Sequence, residues 1–244
     1  MYMSKKQLEC HELEVLITED QSKTLLHKEL GAHYRSVHGA DIESNHVFIQ
    51  GTRILEQEEW MVLELGFGLG TNFRNLLLQT SPEQKLHYLS LEHQPVPPEV
   101  IEGDDVGAEM TREALDLARK TREKVVVQRG SVTLELIPQD IFQAELPQNW
   151  ANACFHDPFA PKVNPESWTA ECFARIFDAM SLDGCLSTYG AAGSTKRAMV
   201  AAGFWIASGA GYGRKREITF ASKNPERVSH GVLSRKYWPG KNQS

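Results

Sequence analysis

One stretch constrains this chain more than any other: Val62-Leu63-Glu64-Leu65-Gly66-Phe67-Gly68-Leu69-Gly70-Thr71-Asn72-Phe73. An apolar, β-prone run meets an acid, breaks into three alternating glycines and resumes with a helical pattern. That order predicts a strand, a tight turn and a helix start, the first ligand loop of a doubly wound α/β sheet. Gly66 and Gly68 let backbone come close where a Cβ would obstruct, and the new helix offers free N–H groups. The spacing departs from the dinucleotide pattern, because G-x-G-x-x-G needs glycine where Thr71 stands. The Lys-Ser/Thr pair of a P-loop is missing as well.

A glycine loop that follows Glu64 resembles instead the S-adenosylmethionine loop of methyltransferases. There no pyrophosphate needs a cradle, and an acid can hold the methionine ammonium. An ordinary glycine-rich turn of another α/β protein is the alternative at this point. The loop positions Glu64, Gly66, Phe67, Gly68, Gly70, Asn72 and Phe73 are the first candidate cofactor residues, although Phe67 suits the core better.

Elsewhere the pattern alternates. Strands are expected at Met61–Leu65, Lys85–Glu92, Asn152–His156, Cys185–Tyr189, Phe204–Ser208 and Glu217–Ala221. Helices are expected at Thr71–Gln79, Ala108–Lys120, Pro165–Met180 and Ser194–Ala201. Lys124–Gln128 and Val132–Ile137, split by Arg129-Gly130-Ser131, read as a hairpin. Leu13–Thr18 and Ser44–Thr52 read as strands of a β-rich prelude. This predicts an α/β, Rossmann-like fold with a largely parallel, doubly wound sheet and an N-terminal β extension. We expect one domain over 1–244: extension to about 55, core over 56–222, and a loosely held tail over 223–244.

Composition bounds the function. Of the 244 residues, 41% are hydrophobic and 24% charged, ordinary values for a globular core. No apolar run approaches the ~20 residues of a membrane span, and the N-terminus lacks an apolar signal core, so a cytoplasmic protein is expected. Cys10, Cys154, Cys172 and Cys185 have no C-x-x-C spacing, and Cys154 and Cys185 sit within apolar strand-like runs, so buried free thiols are expected rather than metal ligands or disulfides. A net charge of −6 excludes binding nucleic acid by bulk charge and demands a local basic patch.

Ligand residues in such a sheet fall at the carboxyl ends of strands. Glu64, Glu92, Asp140 and Asp157 stand there. Glu92 can take the ribose hydroxyls of a nucleoside, while Asp140 could receive an adenine amine or cap the helix expected at Ile141. Asp157 opens a loop stiffened by Pro158, Pro161 and Pro165. A later run, Gly211-Tyr212-Gly213-Arg214-Lys215-Arg216-Glu217, sets three cations before the last strand.

Four motifs then occur in order: Glu64-Leu65-Gly66-Phe67-Gly68-x-Gly70-x-Asn72-Phe73, Asp157-x-Phe159-Ala160-Pro161-x-x-Asn164-Pro165-x-x-Trp168, Thr188-Tyr189-x-Ala191-Ala192-Gly193 and Gly211-x-Gly213-Arg214-Lys215-Arg216-Glu217. Over nearly the whole chain they resemble the methyltransferase domain of MnmC-type tRNA enzymes. The segment from His38 to Phe48 is similar to that family's substrate-facing stretch. The resemblance implies S-adenosylmethionine as cofactor and, as acceptor, the amine of 5-aminomethyl-(2-thio)uridine at the tRNA wobble position. No metal is implied. In many bacteria this domain is fused to an FAD-dependent oxidase. The chain shows no second nucleotide motif, so a stand-alone, monomeric methyltransferase served by a separate oxidase is expected. His156-Asp157-Pro158 departs from the Leu-Asp-Gly of the fused enzymes, which bears on the amine pocket.

The resemblance implies that Asp157 orients the amine and accepts its proton by way of water, since a protonated amine cannot attack. His156 is expected to pack rather than react. Phe159, Trp168 and Tyr189 are candidates for stacking a base; Lys162, Arg197, Arg214, Lys215 and Arg216 are candidates for phosphates. Two rivals remain: a small-molecule amine methyltransferase or aminopropyltransferase on the same scaffold, and a non-enzymatic RNA-binding protein.

Overall fold

The computed structural model describes residues 7–17, 23–34, 40–211 and 217–233. Strands β1 (Leu13–Ile17), β2 (Lys23–His27) and β3 (Ala32–His33) form a small antiparallel sheet. Leu13 and Leu25 seat it on the main core. A short helix α1 (Ala40–Glu43) runs directly into a π-helix over Ser44–Gln50.

The remaining elements alternate: β4 (Glu59–Leu65), α2 (Thr71–Leu77), β5 (Lys85–Leu91), α3 (Val106–Thr121), β6 (Val125–Arg129), β7 (Val132–Ile137), β8 (Ala151–His156), α4 (Ala170–Ala179), β9 (Met180–Thr188), α5 (Gly193–Ala201), β10 (Trp205–Ala210), β11 (Glu217–Ser222) and β12 (Val232–Leu233). Nine strands make one sheet in the order β12-β10-β11-β9-β8-β4-β5-β7-β6. The five from β9 to β7 are parallel, with antiparallel strands at both flanks.

Central strands are apolar on both faces because helices cover both. Trp60 and Val62 face a layer holding Phe73 and Leu76 of α2 and Ala108, Ala114 and Leu115 of α3. Leu63 and Leu65 face the opposite layer, against Phe173 and Ile176 of α4 and Met199 of α5. The expected hairpin is present, and its second strand joins the parallel set beside β5.

Three local expectations are corrected. Ser44–Thr52 is helical, not a strand. Its apolar trio Val47-Phe48-Ile49 is β-prone, but the buried positions Ala40, Glu43, Ser44, Val47 and Phe48 recur at helical spacing. The helix expected over Pro165–Met180 is split. Pro165–Trp168 form a 3₁₀ turn, and Thr169, in extended backbone, caps α4 by accepting from the Cys172 N–H. No helix follows Asp140, which closes a turn instead. Among the described residues no helix is long and apolar enough to cross a membrane. Cys154, Cys172 and Cys185 are buried, while Cys10 is exposed.

Candidate active site

Three main-chain hydrogen bonds extend the parallel ladder one residue past the strands. Gly66 N–H donates to Leu91 O at 2.9 Å, Glu92 N–H to Ile137 O at 3.0 Å, and Asp157 N–H to Leu65 O at 3.0 Å. They fix the starts of three loops side by side at the carboxyl edge of the sheet. Above them opens a cleft of about 1030 Å³, lined by Gly66–Leu69, Glu92–Gln94, 140–143, Asp157–Ala160, Lys162 and Tyr189. Gly31–Tyr34 and Glu43 close it from the N-terminal side.

The glycines act differently from one another. Gly66, at φ +89°, would place a Cβ 2.6 Å from the carbonyl oxygen of Asp157, so its bareness presses the first loop against the loop of Asp157. Gly70 does not line the cleft. It caps α2 with φ +67° and abuts Thr111. Tyr34 lies over Gly68 and meets Phe159 edge-on at 5.1 Å, bridging the two loops. Sequence reasoning missed Tyr34, because nothing in an isolated tyrosine reports that the N-terminal sheet folds back over the cleft.

Glu92 faces the cleft. Its carboxylate accepts from Gly68 N–H at 2.9 Å and Gln94 N–H at 3.0 Å. Burial pushes its carboxyl above the usual range, against the pull of those N–H groups. Burial and the neighbouring Glu92 also hold the Tyr34 phenol protonated. Asp140 lines the cleft, but one oxygen is committed to the N–H groups of Phe142 and Gln143.

Glu64, Asn72 and Phe73 lie beneath the cleft, all fully buried. Phe73 packs edge-on against Tyr88, and Phe67 belongs to the same core. Asn72 donates to Glu64 at 2.8 Å and to Asp157 at 3.1 Å. Trp168 does not line the cleft. Its ring covers Gly190, and its N–H donates to the Phe159 carbonyl at 2.9 Å. Tyr189 donates to the Pro158 carbonyl at 2.5 Å and meets Trp168 at 5.4 Å. These two aromatics brace the loop that carries Asp157. Lys162 is exposed at the cleft, and Arg197 is exposed on α5 outside it. Arg214, Lys215, Arg216 and His38 fall outside the described residues.

His156 is fully buried between Trp168 and Phe173. Its Nε2 must donate to the Ser167 carbonyl at 2.8 Å, which leaves Nδ1 facing the Thr188 hydroxyl at 3.3 Å. Burial pushes its pKa down to about 4. Between pH 6.5 and 4 an unfolded chain would bind a proton that the folded ring refuses, so stability is lost as pH falls through that window. Thermal melts at pH 7 and pH 5 should show wild type losing several degrees more than His156→Gln. His27 and His230, also lowered by burial, will keep part of the slope. Equal losses in both proteins would show that His156 is not held neutral.

The cleft lining carries six carboxylates, Glu43, Glu92, Asp140, Asp157, Glu166 and Glu171, against one lysine, Lys162. A polyphosphate would be repelled there. A nucleoside joined to a cationic sulfonium and an ammonium suits it: Glu92 lines it with a carboxylate that could accept hydroxyl protons, and Leu65, Leu91, Ile141 and Phe142 supply apolar walls. His93, on the same wall, keeps a buried Nδ1 that finds no partner among the described residues. The residues therefore fit S-adenosylmethionine. Among the described residues no group of three or more His, Cys, Asp or Glu is placed to hold a metal ion.

Comparison with known proteins agrees. A family described as S-adenosyl-L-methionine-dependent methyltransferase matches residues 103–224, and the chain belongs to it. S-adenosylmethionine is accordingly its cofactor. The chain is 31% identical over 206 residues to the tRNA 5-methylaminomethyl-2-thiouridine biosynthesis bifunctional protein MnmC of Pseudomonas fluorescens, covering 76% of this chain and 31% of that one. The protein of the same name from Cupriavidus metallidurans is 29% identical over 212 residues, covering 79% and 31%. The chain thus spans about a third of the length of these relatives. The crystal structure of MnmC2 from Aquifex aeolicus superposes with a TM-score of 0.69 at 28% identity, over 99% of this chain and 81% of that one. Spermidine synthase from Thermotoga maritima, at 14% identity and a TM-score of 0.56 over 95% and 75%, shares the fold.

Proposed function

We propose that this protein methylates the amine of a 5-aminomethyluridine, with or without a 2-thio group, at the wobble position of tRNA. The observation that carries the reading is Asp157, held against the cofactor loop through Gly66 and facing the same cleft. The relatives' name supports it: a methylaminomethyl group is what N-methylation of an aminomethyl group yields.

The cofactor, when bound, supplies a methyl group on a sulfonium that an amine can attack directly. The protein's own task is alignment and proton management. A primary alkyl ammonium has no free lone pair at neutral pH. Asp157 hydrogen-bonds the amine, holds it toward the cofactor and accepts its proton through water. The braced Pro158–Phe159 backbone sets where the acceptor enters, and Phe159 and Tyr189 offer ring faces to an unpaired base.

Several of the described cations are committed to ion pairs. Arg53, Arg74, Lys85, Lys120, Lys124, Arg129 and Lys196 are already paired with acids. Lys162 and Arg197 make no hydrogen bond or ion pair with any described residue, and they follow the adjacent strands β8 and β9. Together with Arg214, Lys215 and Arg216 they are our candidates for phosphate contacts. Lys162→Ala with Arg197→Ala should raise the KM for tRNA and flatten its salt dependence by about one unit of slope per lost contact. S-adenosylhomocysteine affinity should not change. An unaltered salt slope would remove both residues from the RNA surface.

A further inference from the structure

The proposed reaction leaves a carboxylate, Glu64, sealed beneath the cleft without a chemical task. Glu64, Ser90, Asn72 and Ser44 are all fully buried. Water cannot satisfy such groups, so their mutual bonds set their orientation. Ser90 donates its hydroxyl to Glu64 Oε2 at 2.8 Å. Asn72 Nδ2 donates to Glu64 Oε1 at 2.8 Å and to Asp157 Oδ2 at 3.1 Å. Ser44 donates its hydroxyl to Asn72 Oδ1 at 2.6 Å.

We infer that Ser44 and Asn72 are positioning residues for Asp157, in a buried chain that fixes which way the acceptor carboxylate points. This rests on the role given to Asp157 above. An amide nitrogen carries two protons to donate and an amide oxygen none, and the Ser44 hydroxyl donates to that oxygen. The atom of Asn72 between the two acids is therefore its nitrogen, and turning the amide over would set an oxygen against both. Ser44 holds the other end of that amide. Without its hydroxyl, Asn72 Oδ1 loses this donor and the side chain can swing. Asp157 would then stay in place through its main-chain bond to Leu65 but lose its orientation. Ser44 becomes part of the site only because the segment is helical, which turns it inward beside Val47 and Phe48.

The test is a double-mutant cycle with Ser44→Ala and Asp157→Asn, read by methyl transfer to tRNA and by calorimetry with S-adenosylhomocysteine. Ser44→Ala should lower kcat about tenfold with KM and S-adenosylhomocysteine affinity within about twofold. Ser44→Thr, which restores a hydroxyl, should recover most of the loss. In the Asp157→Asn background Ser44→Ala should have little further effect. An equal fall in both backgrounds, or a parallel loss of S-adenosylhomocysteine binding, would overturn the inference. Should Ser44→Ala not fold, Ser44→Cys replaces it with the same two readings, because a thiol fills the space but donates weakly. If Asp157→Asn costs turnover and the Ser44 variants do not, the inference alone fails. If Asp157→Asn itself is silent, the role of Asp157 fails first.

Discussion

Asp157→Asn should lower turnover by about 10²- to 10⁴-fold while leaving S-adenosylhomocysteine affinity within about threefold, the scale expected for losing a positioned proton acceptor. The amide has nearly the size of the carboxylate, and its oxygen can still accept from Asn72, so the loop should keep its place. What disappears is the negative charge that, in the proposed mechanism, attracts the ammonium and takes its proton. Single-turnover methylation with calorimetry on the same variant separates the two effects. A matching loss of cofactor affinity would make Asp157 a cofactor residue. Unchanged turnover would remove it from the reaction.

If Glu92 accepts from two ribose hydroxyls, as we propose, Glu92→Ala should weaken cofactor binding by about 2–4 kcal/mol, because hydrogen bonds to a charged acceptor are worth more than neutral ones. That is roughly 30- to 1,000-fold in dissociation constant. A second consequence follows from its present partners. Glu92 also receives the Gly68 and Gln94 N–H groups, so its removal loosens the loop that Tyr34 covers. Glu92→Gln, which keeps one carbonyl acceptor, should lose less. Wild-type affinity in the alanine variant would exclude Glu92 from the cofactor site.

Much of the frame was legible because it obeys short-range rules. Val62-Leu63 and Ala153–Phe155 are apolar on successive residues, as a strand covered on both faces requires. Acids directly after such strands marked the cleft, and Glu92 and Asp157 line it. What the chain hid are relations between distant segments. Glu64 has the spacing of a ligand residue, yet Asn72 and Ser90 turn it inward as a buried support. Trp168 reads as a stacking ring until Gly190, far along the chain, provides the bare backbone on which it lies. Ser44–Thr52 deceived for a local reason. Ala40 and Ser44 mark its buried helical face, and small residues carry little weight in a hydrophobic pattern. His156 needed no correction, being enclosed by rings and a carbonyl.

The most direct test offers the purified protein labelled S-adenosylmethionine with three acceptors: tRNA bearing 5-aminomethyluridine at the wobble position, the free nucleoside, and a polyamine. Mass spectrometry of the digested products then identifies the methylated species. The account predicts 5-methylaminomethyluridine from tRNA, little from the nucleoside and none from the polyamine. Methylation of the nucleoside or the polyamine as readily as tRNA would contradict it, and would place the protein among small-molecule amine methyltransferases.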